Sequence, residues 1–398
     1  MHEELTYVLI TPYSLHKSRT GGIISRLLSL TNLEFAAARM YTFSDELVDK
    51  YTATLAETDI EPHMKAAFTQ YCEDYLRKGN PLGISNRCMV LFFKGYDAVR
   101  HMKEDVVGSI SRIPLGDTVR RTYGDYLTYS DGAAKYFEPA VICAADPEAN
   151  RKQLALLDEY AESDGGIVEH AVRFPPEEMP RVQTTLVIIK PDNFYRRSRR
   201  PGSIIDVFAA TGCFMVGAKL FNMTVNQALE FYGPLEKQFV EKLKGRVVDG
   251  LKQGLDQVFD FSISDITYQA MAELLKHQNA THEFYRIVEY MTGVNPAHVT
   301  RHEERNKPGR SKCFALLYRG VDAVDDIRYW LGATDPTAAA PGTVRSDFGR
   351  DLMRNGAHAS DSPQSAERER KIIGMWDRQD AHLLHQHVRD YLGQAVQV

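Results

Sequence analysis

Two apolar runs, Tyr7-Val8-Leu9-Ile10 and Leu186-Val187-Ile188-Ile189, are each stopped by a proline, Pro12 and Pro191. The second run has the length and boundary of a buried strand. After it, Ile204, Ile205 and Phe208 fall on one face of a helix, and Cys213 to Phe221 reads as a second strand. Val225, Leu229 and Tyr232 predict a short helix, Cys213's run is answered by a third strand from Cys313 to Leu317, and Val321, Val324 and Ile327 to Leu331 predict another helix. A last strand runs into His358. The helix after it opens with Ser362 as N-cap and Pro363 at its first position, and turns Ala366, Ile373 and Trp376 inward. The order β-α-β-α-β-α-β predicts an α+β fold, a split βαβ arrangement on an antiparallel sheet.

The same pattern is written twice. Gly21-Gly22-Ile23-Ile24 matches Gly202-Ser203-Ile204-Ile205, Arg39-Met40-Tyr41 matches Lys219-Leu220-Phe221, and Tyr51 matches Tyr232. The offset is 180 or 181 to this point and 225 afterwards, where Gly95 to Val99 answers Gly320 to Val324 and Thr118-Val119-Arg120 answers Thr343-Val344-Arg345. The second copy therefore carries about 44 additional residues. A repeat this long is a domain, since solenoid units run about 20 to 50 residues. Asp164-Gly165-Gly166, Pro175, Pro176 and Pro180 punctuate the join as turn residues do. We expect a first domain over 1–165, a linker over 166–180 and a second domain over 181–398.

Composition narrows the classes. With 398 residues, 43% hydrophobic and 25% charged, the chain is neither disordered nor fibrous. A net charge of -5 provides no global attraction to nucleic acid or anionic lipid, so any anion site is built locally. Five scattered cysteines without a Cys-x-x-Cys pair suggest neither disulfides nor a zinc site. The start lacks a basic region followed by an apolar one and no apolar run reaches membrane-spanning length, so a cytoplasmic protein is expected.

The second copy concentrates candidate chemistry. His358 precedes a helix start, where unpaired N–H groups and the helix dipole favour an anion by roughly 0.3 to 1 kcal/mol. An imidazole of ordinary pKa, about 6.5, is mostly neutral at cytoplasmic pH and can act as a nucleophile. Lys190, at a strand end, and Arg328 and Arg345, flanking the loop from Gly332 to Gly342, are the cations that could steady a phosphoryl group in transfer.

Taken together, Ile188-Ile189-Lys190-Pro191-Asp192, Arg328-x-x-Leu331-Gly332-x-Thr334-Asp335-Pro336, Pro341-Gly342-Thr343-Val344-Arg345-x-Asp347-Phe348 and Asn355-x-x-His358-x-Ser360-Asp361-Ser362 resemble the nucleoside diphosphate kinase family. These four motifs stand in the family's order and cover most of the second copy. The resemblance implies two ferredoxin-like domains in tandem and a ping-pong kinase that carries the phosphoryl group on His358 between a nucleoside triphosphate and a nucleoside diphosphate. It implies magnesium on the nucleotide phosphates, nucleotide contacts from Lys190, Tyr232, Phe284, Arg328, Thr334, Arg345 and Asn355, and Glu369 as support for the histidine. Homo-oligomers are common in the family. A nucleotide-binding regulator without turnover, and a phosphohistidine donor to a protein partner, are the alternatives.

The departures are equally specific. Insertions near 236–282, mostly helical, and 294–311 fall where the family places its base clamp. The family's stacking phenylalanine aligns with Glu283, beside Phe284, and Ala359 replaces the glycine usual after the histidine. In the first copy Thr11 stands for Lys190 and Tyr13 for Asp192, and the nucleophile's place falls at Ala133, Ile142 or Cys143. Of these Cys143 reads as a buried structural cysteine. The run Arg196-Arg197-Ser198-Arg199-Arg200 reads as a solvated loop, so nucleic acid is not an expected partner, and His298, His302, His382, His385 and His387 read as surface residues.

Overall fold

The apolar runs become central strands because both of their faces are covered: six of the eight residues in β1 (Glu3–Ile10) are buried. The structure, a computed structural model, describes residues 3–58, 60–110, 117–130 and 134–394. It divides into two compact units, Met1–Phe221 with Phe314–Val398, and Asn222–Cys313.

Among the described residues the first unit holds two large sheets and a two-stranded one, Asp125–Thr128 with Ala134–Glu138. In the N-terminal sheet β1 is followed by α1 (Thr20–Leu30), β2 (Glu34–Thr42), α2 (Asp45–Ala56), α3 (Pro62–Tyr75), β3 (Arg87–Tyr96), β4 (Val141–Cys143) and α4 (Pro147–Glu159). Its strand order is β4-β1-β3-β2, with Gly165–Gly166 added at the β2 edge. The C-terminal sheet is built from β5 (Val182–Ile189), α5 (Arg200–Phe208) and β6 (Phe214–Phe221). After the chain's excursion through α6 (Val225–Lys242), α7 (Lys244–Leu255) and α8 (Asp265–Thr292), it is completed by β7 (Cys313–Val321), α9 (Ala323–Leu331), β8 (Ala357–Ala359) and α10 (Pro363–Ile372). Its order, β8-β5-β7-β6, is that of the N-terminal sheet element for element. β1 pairs antiparallel with β3 and β4, and β5 pairs antiparallel with β7 and β8.

The likeness extends to single residues. Asp97 and Asp322, matched in the sequence, both take left-handed backbone angles, φ 51° and 49°. Gly108 and Gly332, at φ 77° and 84°, each leave room for a threonine, Thr118 or Thr343, that a Cβ would strike. Asp146 and Ser362 each cap a helix whose first residue is proline, accepting from the N–H three residues on.

The halves meet through equivalent elements. α1 and α5 cross at Gly21 and Gly202, where a Cβ on Gly202 would lie 2.2 Å from the Gly21 carbonyl oxygen. Arg39 donates to the carbonyls of Gln379 and Asp380 at 2.7 and 3.1 Å. Helix α11 (His382–Gln394) brings Leu384 and Val388 into the core of the N-terminal half, and its His385 lies 2.7 Å from Asp158.

Three expected elements differ. The short helix at Val225 runs for 18 residues, opened by a Thr224–Gln227 capping box and continuing past Pro234. Val321 closes β7 instead of opening α9, because the left-handed Asp322 separates the two. Trp376 is not inward: α10 ends at Ile372, Gly374 turns the chain at φ 68°, and the ring is 37% exposed beneath Arg370 and Lys371.

The second unit is helical, with Val248, Tyr268 and Ala272 at the centre of a small core between α7 and α8. No helix among the described residues is long and apolar enough to cross a membrane.

Candidate active site

Strand register places His358. In β8 it faces Ile188 across the β5 ladder, and Lys190 just beyond β5 donates its N–H to the Gly356 carbonyl at 3.1 Å. Gly356 sits at φ 83°, a backbone state that favours glycine. Ala359 is absent from the positive-φ residues and continues the strand, so the missing glycine costs no strain.

The His358 imidazole is held on one side. Its Nε2 lies 2.8 Å from Glu369 Oε2, which also accepts from the Ser360 hydroxyl at 2.7 Å. An ionised carboxylate only accepts, so Nε2 carries the proton and Nδ1 presents a lone pair. Glu369 projects from α10 and is 4% exposed, which keeps this brace in place.

Two of the three predicted cations, Lys190 and Arg345, are joined through Asn355 and Thr334. Lys190 Nζ donates to Asn355 Oδ1 at 2.6 Å and to the Met353 carbonyl at 3.0 Å. Asn355 donates in turn to the carbonyls of Thr334 and Leu352. Arg345 Nη1 reaches the Gly332 carbonyl at 3.1 Å and the Thr334 hydroxyl at 3.3 Å. Burial, and then the charge of Arg328, push Arg345 down to about 10, still protonated near neutrality. Arg328 also helps to hold the Asp361 carboxyl below its usual range, after the Ser365 hydrogen bond. All of these residues lie in one unit: Lys190, Asn355, Thr334 and Arg345 form one hydrogen-bonded network, His358, Ser360 and Glu369 another, and Arg328 acts on Arg345 and Asp361 through its charge. Tyr232 and Phe284 belong to the helical unit, where both are buried, Tyr232 beside Phe231 and Phe284 beside Tyr285.

Sequence reasoning missed Ser360 as a second donor to Glu369 and Arg200 as a brace. Arg200 bonds Asn193 and the Phe348 carbonyl and stacks on the Phe348 ring at 5.6 Å, fixing the segment that carries Arg345. Arg196, Arg197 and Arg199 are exposed, as expected of a solvated loop, and Arg197 and Arg199 make surface bonds to Asn32 and Asp117.

The counterpart place in the N-terminal half is closed. Leu9 faces Ile142 in the register in which Ile188 faces His358, so Ile142 stands in the histidine's place; Ala133 lies outside the described residues. Thr11 Oγ1 and Tyr71 OH donate to the buried Glu138 carboxylate at 3.0 and 2.7 Å. Arg120 keeps the Arg345 contact, donating to the Gly108 carbonyl at 3.2 Å, but it also bonds Val141 and lies over the Phe68 ring at 4.9 Å. Gln153, in Glu369's place on α4, accepts from Tyr7 OH at 2.8 Å. Burial pushes the Cys143 thiol up, against nucleophilic use.

Residues 239–376 match the family model of nucleoside diphosphate kinase. Among curated relatives, the nucleoside diphosphate kinase of Archaeoglobus fulgidus is 45% identical over 78 residues, 18% of this chain and 52% of that protein. That of Haloquadratum walsbyi is 28% identical over 207 residues, 52% of this chain and 91% of that protein. A solved kinase of this kind from Pyrobaculum aerophilum is 25% identical over 48% of this chain and 94% of its own, with a TM-score of 0.34. The chain spans between 37% and 52% of the length of the first three curated relatives it matches. Residues 239–376 thus carry the nucleoside diphosphate kinase family domain, in a chain whose sheets are antiparallel and whose fold is α+β.

Proposed function

We propose that the C-terminal half is a nucleoside diphosphate kinase working through phospho-His358, and that the N-terminal half is a duplicated copy that has lost this chemistry. The supporting observation is the His358–Glu369–Ser360 group, which fixes the imidazole proton on Nε2 and turns Nδ1 into the nucleophile. In the first step Nδ1 attacks the γ-phosphorus of a nucleoside triphosphate. The Nδ1–P bond forms, the bond to the β,γ-bridging oxygen breaks, and the diphosphate leaves with that electron pair. The second step is the reverse, with the oxygen of another nucleoside diphosphate as attacking group.

Charge on the moving phosphoryl oxygens is stabilised by fixed cations, for which Lys190, Arg328 and Arg345 are assigned. Asn355 and Thr334 are positioning residues: their own hydrogen bonds set Lys190 and Arg345. Tyr232 and Phe284, both buried in the helical unit, are the residues to which the family resemblance gives nucleotide contacts. Among the described residues no cluster of three or more acidic, histidine or cysteine side chains is spaced to hold a metal ion. The donor-rich site suits phosphate oxygens, and magnesium would enter as part of the substrate, bound to the nucleotide phosphates.

The duplication reading rests on the shared strand order and on the crossing of α1 with α5 at matched glycines. Contact through equivalent elements is how two identical copies would pair about a two-fold axis. The N-terminal half thus takes the place of a second protomer.

The test is incubation of the full chain with γ-labelled ATP. Wild type should acquire an acid-labile, base-stable label that is discharged by nucleoside diphosphates, and His358→Ala should not. Absence of label on folded wild type, or its persistence in the variant, would overturn the reading.

A further inference from the structure

Between the two halves of the first unit, away from the His358 group, lies a cavity of about 80 Å³. At about 30 Å³ of liquid volume per molecule, it has room for a few waters or one small polyatomic ion. Its walls are rich in donors. Arg87, 5% exposed, lines it, donating from Nε to Ser85 Oγ at 3.1 Å and from Nη1 to the Met215 carbonyl. Among the described residues no carboxylate is paired with this guanidinium, and burial alone pushes it down to about 10. A buried cation without a counter-ion is costly unless its remaining donors are met.

Two further features face the same space. Tyr318, 3% exposed, has a hydroxyl with no hydrogen-bond partner among the described residues. The start of α1, at Thr20 and Gly21, also lines the cavity, and its N-cap residue Arg19 makes no side-chain cap. The carboxylate nearest that helix start, Asp206, accepts from the Gly22 N–H and does not line the cavity. A buried guanidinium, an orphaned phenol and the N–H groups of Thr20 and Gly21 at a helix start are all donors, and two of these three carry positive or partial positive charge.

We propose that this cavity binds a small tetrahedral oxyanion, of the size of inorganic phosphate, held jointly by Arg87, Tyr318 and the first N–H groups of α1. Arg87 and α1 come from the N-terminal half and Tyr318 from the C-terminal half, so the ion bridges the two. Its occupancy is independent of phosphotransfer at His358.

Cys213 lines the cavity and is partly exposed, which makes it a local reporter; free glutathione in the same salts serves as reference for the reagent. The full chain is alkylated with N-ethylmaleimide in phosphate, sulfate or chloride at equal ionic strength, and each cysteine is followed by peptide mass. Phosphate and sulfate should each slow Cys213 several-fold relative to chloride, leave glutathione unchanged, and do so equally in His358→Ala. Tyr318→Phe should weaken the protection and Arg87→Met should remove it. Should Arg87→Met fail to fold, Tyr318→Phe decides, because it deletes one oxygen from an otherwise intact wall. Equal Cys213 rates in all three salts, or protection undiminished in Tyr318→Phe, would overturn the proposal.

Discussion

Ile142 and His358 occupy the same step of the same edge strand, opposite Leu9 and Ile188 respectively. Around His358 the neighbouring polar groups are a buried carboxylate, a hydroxyl and a lysine with its asparagine. Around Ile142 the corresponding positions have turned inward upon one another. Thr11 and Tyr71 donate to Glu138, Tyr7 bonds Gln153, and Arg120 spends both terminal nitrogens on backbone carbonyls. One backbone plan thus supports both a site that keeps histidine, lysine and arginine together and a core in which hydrogen-bonded neutral groups stand in place of the histidine and the lysine. The lesson is that losing the histidine is only one of several changes, since the lysine is replaced by Thr11 and the retained Arg120 takes a second backbone carbonyl, that of Val141.

The comparison can be broken most directly by moving the histidine. In Ile142→His combined with His358→Ala, no phosphoenzyme should form from γ-labelled ATP, because Thr11 provides no charge and Arg120 is engaged. Labelling of that double variant would mean that the N-terminal place is open after all. Less absolute is Arg345→Ala, which removes the cation that Arg120 only imitates. It should lower kcat/KM by about 10² to 10³, the usual loss for one preorganised charge-stabilising donor, with phosphohistidine still detectable at long times. An equal rate would show that Arg345 is a structural arginine, as Arg120 is.

How much of this was legible in the sequence follows from the kind of information each feature needs. The cap at Ser362 and Pro363 and the strand ending at Ile189 were readable, because local preference and burial agree there. The group around His358 was readable through its four motifs. Which residue replaces His358 in the first half was not, because the gap between Arg120 and Pro147 has no fixed length in sequence; only strand pairing decides it. The length of α6 was hidden by Pro234, a residue that normally ends a helix, and Trp376 was misplaced because Gly374 breaks the helical period. Arg200 looked like one of a charge run until its partner Phe348, remote in sequence, came beside it.

The contact between the halves offers a smaller effect. Gly202→Ala sets a Cβ 2.2 Å from the Gly21 carbonyl oxygen and 2.3 Å from the Ser25 nitrogen, so α1 and α5 must separate. Overpacking of this kind costs about 1 to 3 kcal/mol. Urea unfolding should show a lower midpoint for Gly202→Ala, whereas Gly245→Ala, where a Cβ meets nothing within 4 Å, should leave the midpoint unchanged or raise it. Equal behaviour of the two would mean that the helices do not rely on this close approach.

The smallest expected effect concerns the one place where the crossing is chemically unequal. Ser25 and Asp206 stand four residues after Gly21 and Gly202, so they are counterparts across the contact. Ser25 offers a neutral hydroxyl that donates to the Arg199 carbonyl at 3.0 Å. Asp206 places a carboxylate against the start of α1, where desolvation raises it from 3.8 to about 6 in spite of the Gly22 N–H bond. A raised carboxyl pKa favours folding while the group is protonated. Its contribution is therefore full below about pH 4 and is lost as pH climbs through about 6. The residue as a whole remains exposed, so solvent screening holds the effect to under about 1 kcal/mol. Asp206→Asn keeps an acceptor for Gly22 and removes the titration. It should be about as stable as wild type at pH 4 and slightly more stable at pH 7.5, read as the difference in urea midpoints. A variant that instead loses stability only at pH 7.5 would show that the ionised carboxylate is the favoured form, anchoring the positive end of α1, and would make the two sides of the crossing cooperate through charge rather than through close packing alone.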